Sequence, residues 1–175
     1  MPQTSKHFLP HIDALGYYQF VTFRTYDSLD DFIFGIRQKK ISDKQKEYAI
    51  DQYADHSKKG AYLNGEIITF LKEYLVSKDK VLYDLIAFCI MPNHVHIVFK
   101  QNQDLPTIMQ QIKGATAYRI NQILQRKGTF WEENYYDKVI KDDKHFDTVY
   151  TYVKNNPLKA GLKDFEERFY SVYEK

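Results

Sequence analysis

The chain has 175 residues, 43% of them hydrophobic and 27% charged, which suits one domain with a sizeable core and excludes a disordered polymer. A net charge of +2 neither demands nor forbids a nucleic-acid partner, because the placement of charge decides that. A single cysteine, Cys89, rules out an intrachain disulfide and a cysteine-based zinc cluster, and fits a reducing, cytoplasmic setting.

Residues 1–13 lack the apolar segment of a signal peptide. The longest apolar run, Leu85 to Met91, is too short to span a bilayer, so no membrane partner is expected. Residues 17–25, YYQFVTFRT, are aromatic and β-branched and predict the first strand. Ser28 reads as the N-cap of a short helix over 29–37. Residues 42–58 are polar and helix-favouring, and Gly60 breaks them off. Apolar groups at Leu63, Ile67, Ile68, Leu71, Tyr74 and Leu75 give 62–77 a helical period.

Residues 81–91 read as a buried strand, Pro92 and Asn93 as a tight connection, and 94–100 as the next strand. A helical pattern covers 105–126 and ends at Gly128; 134–140 is a strand. The last helix runs from Asp143 to Asn155 and stops before Pro157, since a residue preceding proline is driven out of the α region. Hairpin-like neighbours around 81–100 favour an α+β antiparallel sheet with helices on one face over a doubly wound parallel sheet.

Two segments carry chemistry. In Met91-Pro92-Asn93-His94-Val95-His96-Ile97-Val98-Phe99, strand alternation sends both histidines to one face and Val95 to the other. Neutral imidazoles so placed suit a divalent metal, or equally a pair of structural histidines, and a metal would need a third ligand from elsewhere. His7, His11, His56 and His145 have no partner at a usable spacing. In the second segment, Phe146, Val149, Tyr150 and Val153 form an apolar stripe. Tyr152 lies roughly 110° from the centre of that stripe at 3.6 residues per turn. Asn156 follows one turn later on the same edge, able to reach a site beneath or simply to cap the helix.

His94-Val95-His96 within MPNHVHIVF resembles the HUH motif, two histidines flanking a bulky apolar residue. With FWEENYYDKVIKD (130–142), YTYVKNNPLKAGL (150–162) and YYQFVTFRTYDSL near the N-terminus, the chain resembles the REP-associated tyrosine transposases, relatives of the single-tyrosine insertion-sequence transposases, over roughly residues 17–165. The resemblance implies a ferredoxin-like α+β sheet of the HUH endonuclease type. The whole of 1–175 would form one domain, with a helical insertion at about 38–77. It implies cutting and rejoining of single-stranded DNA beside hairpins or repeats. His94 and His96 match the metal ligands and Tyr152 the nucleophile of a 5′-phosphotyrosine intermediate. Asn156 stands where the insertion-sequence relatives use a glutamine as third ligand. The metal would be Mg²⁺ or Mn²⁺, the partner single-stranded or hairpin DNA, and the protein a monomer or homodimer.

Lys113, Arg119, Arg126, Lys127 and Lys154 are candidate phosphate contacts. Phe130, Trp131, Tyr135 and Tyr136 would either stack on unpaired bases or belong to the core. Glu132, Glu133 and Asp137 are candidate auxiliary carboxylates. The rival readings are a hairpin-binding module of the same fold that does not cut, a metal-dependent hydrolase and a nonenzymatic zinc protein.

Overall fold

Strand-forming residues at five places along the chain pair into a single antiparallel sheet in a computed structural model that describes residues 17–174. The expectation for the N-terminal thirteen residues, with His7 and His11, falls outside the described residues. In chain order the elements are β1 (Tyr18–Arg24), α1 (Asp31–Arg37), α2 (Asp43–His56), α3 (Glu66–Ser77), β2 (Tyr83–Ile90) and β3 (His94–Gln101). There follow α4 (Leu105–Leu124), β4 (Tyr136–Val139), α5 (Asp143–Lys159), α6 (Phe165–Arg168) and β5 (Phe169–Ser171). The sheet order is β4-β1-β3-β2-β5. Its first four strands, with helices crossing between β1 and β2 and between β3 and β4, have the split order of a ferredoxin-like α+β fold.

Period-2 alternation divides β3 between two cores. Val95, Ile97 and Phe99 enter the larger one with Val21, Phe23, Leu71 and Leu75, and with Ile108 and Ile112 of α4. Val98 enters the smaller one with Ala87, Cys89, Val149 and Val153 of α5. The sheet is therefore covered on both faces, α3 and α4 on one and α5 on the other, which corrects the expectation of helices on one face. The reason lies in β2, whose eight residues are all buried but Asp84. A strand apolar on both sides needs a layer on each.

Several boundaries also move. The first helix starts at Asp31 with Asp30 as its cap, accepting from Ile33 N at 3.1 Å. Ser28 instead donates to the Thr25 carbonyl at 2.7 Å within a 3₁₀ turn. Gln125, in the left-handed conformation, ends α4 before Gly128. The last helix does not stop at Asn155 but continues through Pro157 to Lys159, and Gly161 at φ +77° turns the chain away. Pro157 removes one helical donor. Burial of Val149, Val153, Asn156 and Pro157 along one side of α5 outweighs that loss. The C-terminal strand β5, pairing Phe169 with Cys89 on the edge of β2, escaped the sequence pattern because three residues carry no readable period.

Gly60 is buried at φ +63°, where a Cβ would run into Thr25 Oγ1 and the Ser28 backbone nitrogen. Its carbonyl accepts from Thr25 Oγ1 at 2.9 Å. Gly60→Ala is expected to destabilise the fold by about 2–3 kcal/mol or more, read as a lowered urea midpoint at unchanged slope.

Candidate active site

β1, β3, α2 and α5 converge on the face of the sheet that His94 and His96 share with Val98. Both imidazoles are fully buried. Each is held at Nδ1: His94 donates to Asn93 Oδ1 at 2.7 Å, and His96 Nδ1 lies 2.7 Å from Thr22 Oγ1, its cross-strand neighbour. Fixing one ring nitrogen this way orients the other. Burial holds His94 well below the ordinary histidine range, with the neighbouring His96 adding to the effect. Burial likewise pushes His96 down to about 4, against the opposing pull of Asp51. Both rings are therefore neutral near pH 7, and the bond to Asn93 leaves the His94 Nε2 lone pair facing the site.

α2 brings three carboxylates to the histidines. Glu47, Asp51 and Asp55 are spaced four apart and share one side of that helix. Arg24, the cross-strand neighbour of His94, is buried and donates from Nη2 to Asp51 Oδ1 at 2.7 Å and to Glu47 Oε2 at 2.8 Å. Burial alone would lower the pKa of that guanidinium, but Asp51 and Glu47 outweigh it and hold it above its ordinary value. Asn93 ties the same helix down through Nδ2, donating to the Ala54 carbonyl at 2.9 Å.

Tyr152 reaches in from α5. Its hydroxyl donates to Asp51 Oδ2 at 2.6 Å, and its ring lies 5.4 Å from that of His96. Burial, followed by the Asp51 carboxylate, pushes the phenol far above its ordinary pKa, so it is protonated in the free protein. Tyr150, on the apolar stripe, turns elsewhere and donates to Ser171 Oγ at 2.7 Å. Because α5 continues past Pro157, Asn156 is a helical residue buried at this site rather than a capping one.

Five buried atoms here have no hydrogen-bond partner: His94 Nε2, His96 Nε2, Asp55 Oδ1, Asn156 Oδ1 and Arg24 Nη1. His94 Nε2 lies 3.9 Å from Asp55 Oδ1, and His96 Nε2 lies 3.8 Å from Asp51 Oδ2. One ligand atom each from Asp51, His94 and His96 falls within 4.8 Å of the others. Two donors sharing one divalent ion at about 2.1 Å stand at most ~4.2 Å apart; the 3.8 and 3.9 Å pairs fall inside that limit, and the donor set suits such an ion. Burial, then the charge of Asp51, pushes Asp55 up to about 7. A 270 Å³ cavity lined by Asp51, Asp55, Tyr152, Asn156 and Lys159 opens the group to solvent.

His94, His96, Tyr152 and Asn156 are thus brought together, while the expected phosphate contacts are scattered. Lys113, Arg119, Arg126 and Lys127 lie on or just beyond α4, on the far face of the sheet. Lys113 donates to the Glu133 carbonyl, and Arg126 pairs with Asp27 at 3.0 Å. Lys154, on α5, pairs with Glu174 at 2.7 Å. Phe130 and Trp131 are core residues, and Glu132 engages Arg37 through both carboxylate oxygens. The sequence reading missed Asp51 and Asp55. The signal that would have found them is the acidic spacing Glu47, Asp51, Asp55 on one helix side, facing a buried arginine.

Comparison with known proteins matches residues 56–156, more than half of the chain, to the family described as IS200-like transposases. The chain belongs to that family. It is 25% identical over 113 residues, 58% of this chain and 64% of the relative, to a Haemophilus influenzae protein described as a REP-associated tyrosine transposase. A second, uncharacterized protein of that organism is 28% identical over 101 residues, 41% of this chain and 52% of its own. The chain thus spans less than two thirds of the length of either relative. Among solved structures, a REP-associated tyrosine transposase bound to a REP hairpin matches 90% of this chain and 75% of its own, with a TM-score of 0.49 and 15% identity. A Deinococcus radiodurans protein described as a transposase matches 89% of this chain and 98% of its own, with a TM-score of 0.47 and 14% identity. Among the described residues, no helix is long and apolar enough to cross a membrane.

Proposed function

We propose that this protein cuts and rejoins single-stranded DNA beside hairpin or repeat sequences, through a covalent 5′-phosphotyrosine on Tyr152. The observation that carries this reading is the Tyr152 hydroxyl, hydrogen-bonded to Asp51 Oδ2 beside two neutral imidazoles whose Nε2 atoms are unpartnered. His94, His96 and Asn156 would hold Mg²⁺ or Mn²⁺. Asp55 would join them, because its free oxygen points at His94 while both oxygens of Asp51 are engaged by Arg24 and Tyr152. When bound, such an ion polarises the scissile phosphate and offsets its developing charge.

The tyrosine oxygen attacks phosphorus in line, the bond to the 3′-oxygen breaks, and that oxygen takes a proton from water and leaves as a hydroxyl. Asp51 Oδ2 is the atom that receives the phenol hydrogen bond, so it is where the proton departs. A phosphotyrosine retains the energy of the broken bond, so a 3′-hydroxyl can reverse the step, which suits strand transfer better than hydrolysis.

The test is incubation with single-stranded hairpins drawn from repeats flanking the gene, with Mn²⁺ or Mg²⁺, read on a denaturing gel. A metal-dependent covalent adduct, absent with a chelator, supports the reading. Tight hairpin binding with no adduct under either metal leaves the binding module instead. In calorimetric Mn²⁺ titrations, Asp55→Asn is expected to weaken binding about tenfold or more, and His94→Ala to abolish it.

A further inference from the structure

On the other side of the Tyr152 ring lies a second cavity, of 190 Å³, between α2 and α5. It shares Tyr48, Asp51 and Tyr152 with the polar cavity over the histidines, so the tyrosine stands as a partition between the two. Its walls are largely aromatic. Phe20 and Tyr136 meet edge-on with centroids 6.4 Å apart, and Phe20 and Tyr152 do so at 6.2 Å. Phe20 also stacks on His96 at 5.5 Å, which joins this floor directly to the metal-ligating pair.

The rim is cationic. Lys44 and Lys138 line the cavity with His145, and Lys141 stands close to both. Among the described residues none of these three lysines has a salt-bridge partner, in contrast to Lys154 and Arg126. The lysines face one another instead: burial, then the charges of Lys44 and Lys141, lower the pKa of Lys138. Glu47 and Asp51 are committed to Arg24, and Asp51 to Tyr152; Asp43 and Asp137 also face Tyr136, and Asp142 faces His145. Three lysines without salt-bridge partners beside an apolar, ring-lined hollow suit a ligand that carries both negative charge and a flat apolar body.

We infer that this cavity is the subsite for the unpaired nucleotide next to the scissile phosphate. Its base would lie against Phe20 and Tyr136, and its flanking phosphates on Lys44, Lys138 and Lys141. This rests on the reading of Tyr152 as the nucleophile and adds the course of the cut strand, which runs between α2 and α5 and not along α4. Stacking on aromatic side chains requires an unpaired base, so the pocket selects a single strand over a duplex at the point of cutting. It does so without reading the identity of the base.

The test uses the full chain carrying Tyr152→Phe, which keeps the ring wall while removing the nucleophile. The probes are unstructured single-stranded oligonucleotides with 2-aminopurine stepped through successive positions. One position is expected to show strong stacking quenching, relieved by Tyr136→Leu. Lys44→Ala with Lys138→Ala is expected to weaken binding about tenfold or more at 0.1 M salt and to reduce the salt slope by about 1.4. Arg119→Ala with Lys127→Ala is expected to leave both unchanged. Loss with the α4 pair and none with the Lys44/Lys138 pair overturns the subsite. If wild type forms the covalent adduct while the Lys44/Lys138 variant binds normally, the subsite alone falls. If wild type neither binds single strands nor forms an adduct, the proposed function falls with it.

Discussion

Tyr152→Phe is expected to lower covalent adduct formation by about 10⁴-fold or more, to below detection on a denaturing gel, because Tyr152 is the hydroxyl held on Asp51 beside the histidine pair. The fold should survive the change. The ring stays against Phe20 and His96, and only the hydrogen bond to Asp51 is lost. That loss costs about 1 kcal/mol, since Arg24 still partners the carboxylate. Tyr150→Phe is the informative contrast. Its hydroxyl serves Ser171 and Glu174 at the C-terminal strand, so the variant should form adduct near the wild-type level. Mass spectrometry of the adduct should find the nucleotide on the α5 peptide, at residue 152. An adduct that persists in Tyr152→Phe moves the nucleophile elsewhere and removes the basis for the role given to Asp51.

The histidine pair was legible because strand alternation is a local rule, and the residues of 94–99 obey it without help from the rest of the chain. Helical spacing set Tyr152 and Asn156 apart from the apolar stripe of Val149 and Val153, but it was the family resemblance that singled them out from the other polar residues of the helix. The length of α5 was not, since local proline chemistry stops the helix at Asn155. Only burial against β2, a contact between segments far apart in sequence, carries the helix on to Lys159. The same limit hid Asp51 and Asp55. Read locally, 42–58 is a polar helix, and its acidic residues look like a solvated face. They are site residues only because Arg24 and Asn93 pull that helix over the histidines. The basic residues of α4 lie on the opposite face for a related reason. Charge along a helix says nothing about which face of the sheet the helix covers.

Arg24→Met is expected to cost about 3–5 kcal/mol of stability in the metal-free protein, measured by urea unfolding, because it leaves Asp51 and Glu47 without their shared counter-charge. Two carboxylates four residues apart on α2, one of them buried, would then face each other and Asp55 across a low-dielectric site. Part of that cost should return when Asp51→Asn is added, since an amide in that place has no charge to leave unpaired. The two changes together should therefore cost less than the sum of the two separately. A cost below about 1 kcal/mol for Arg24→Met, or simple additivity with Asp51→Asn, would show that the ion pair does not hold α2 on the sheet. The functional consequence separates Arg24 from Tyr152. Arg24 acts through α2: its two ion pairs fix the helix that presents Asp51 and Asp55. Its loss should therefore lower Mn²⁺ affinity and adduct yield together, and excess Mn²⁺ should restore part of the yield. In Tyr152→Phe, metal affinity is kept and no amount of metal restores the adduct.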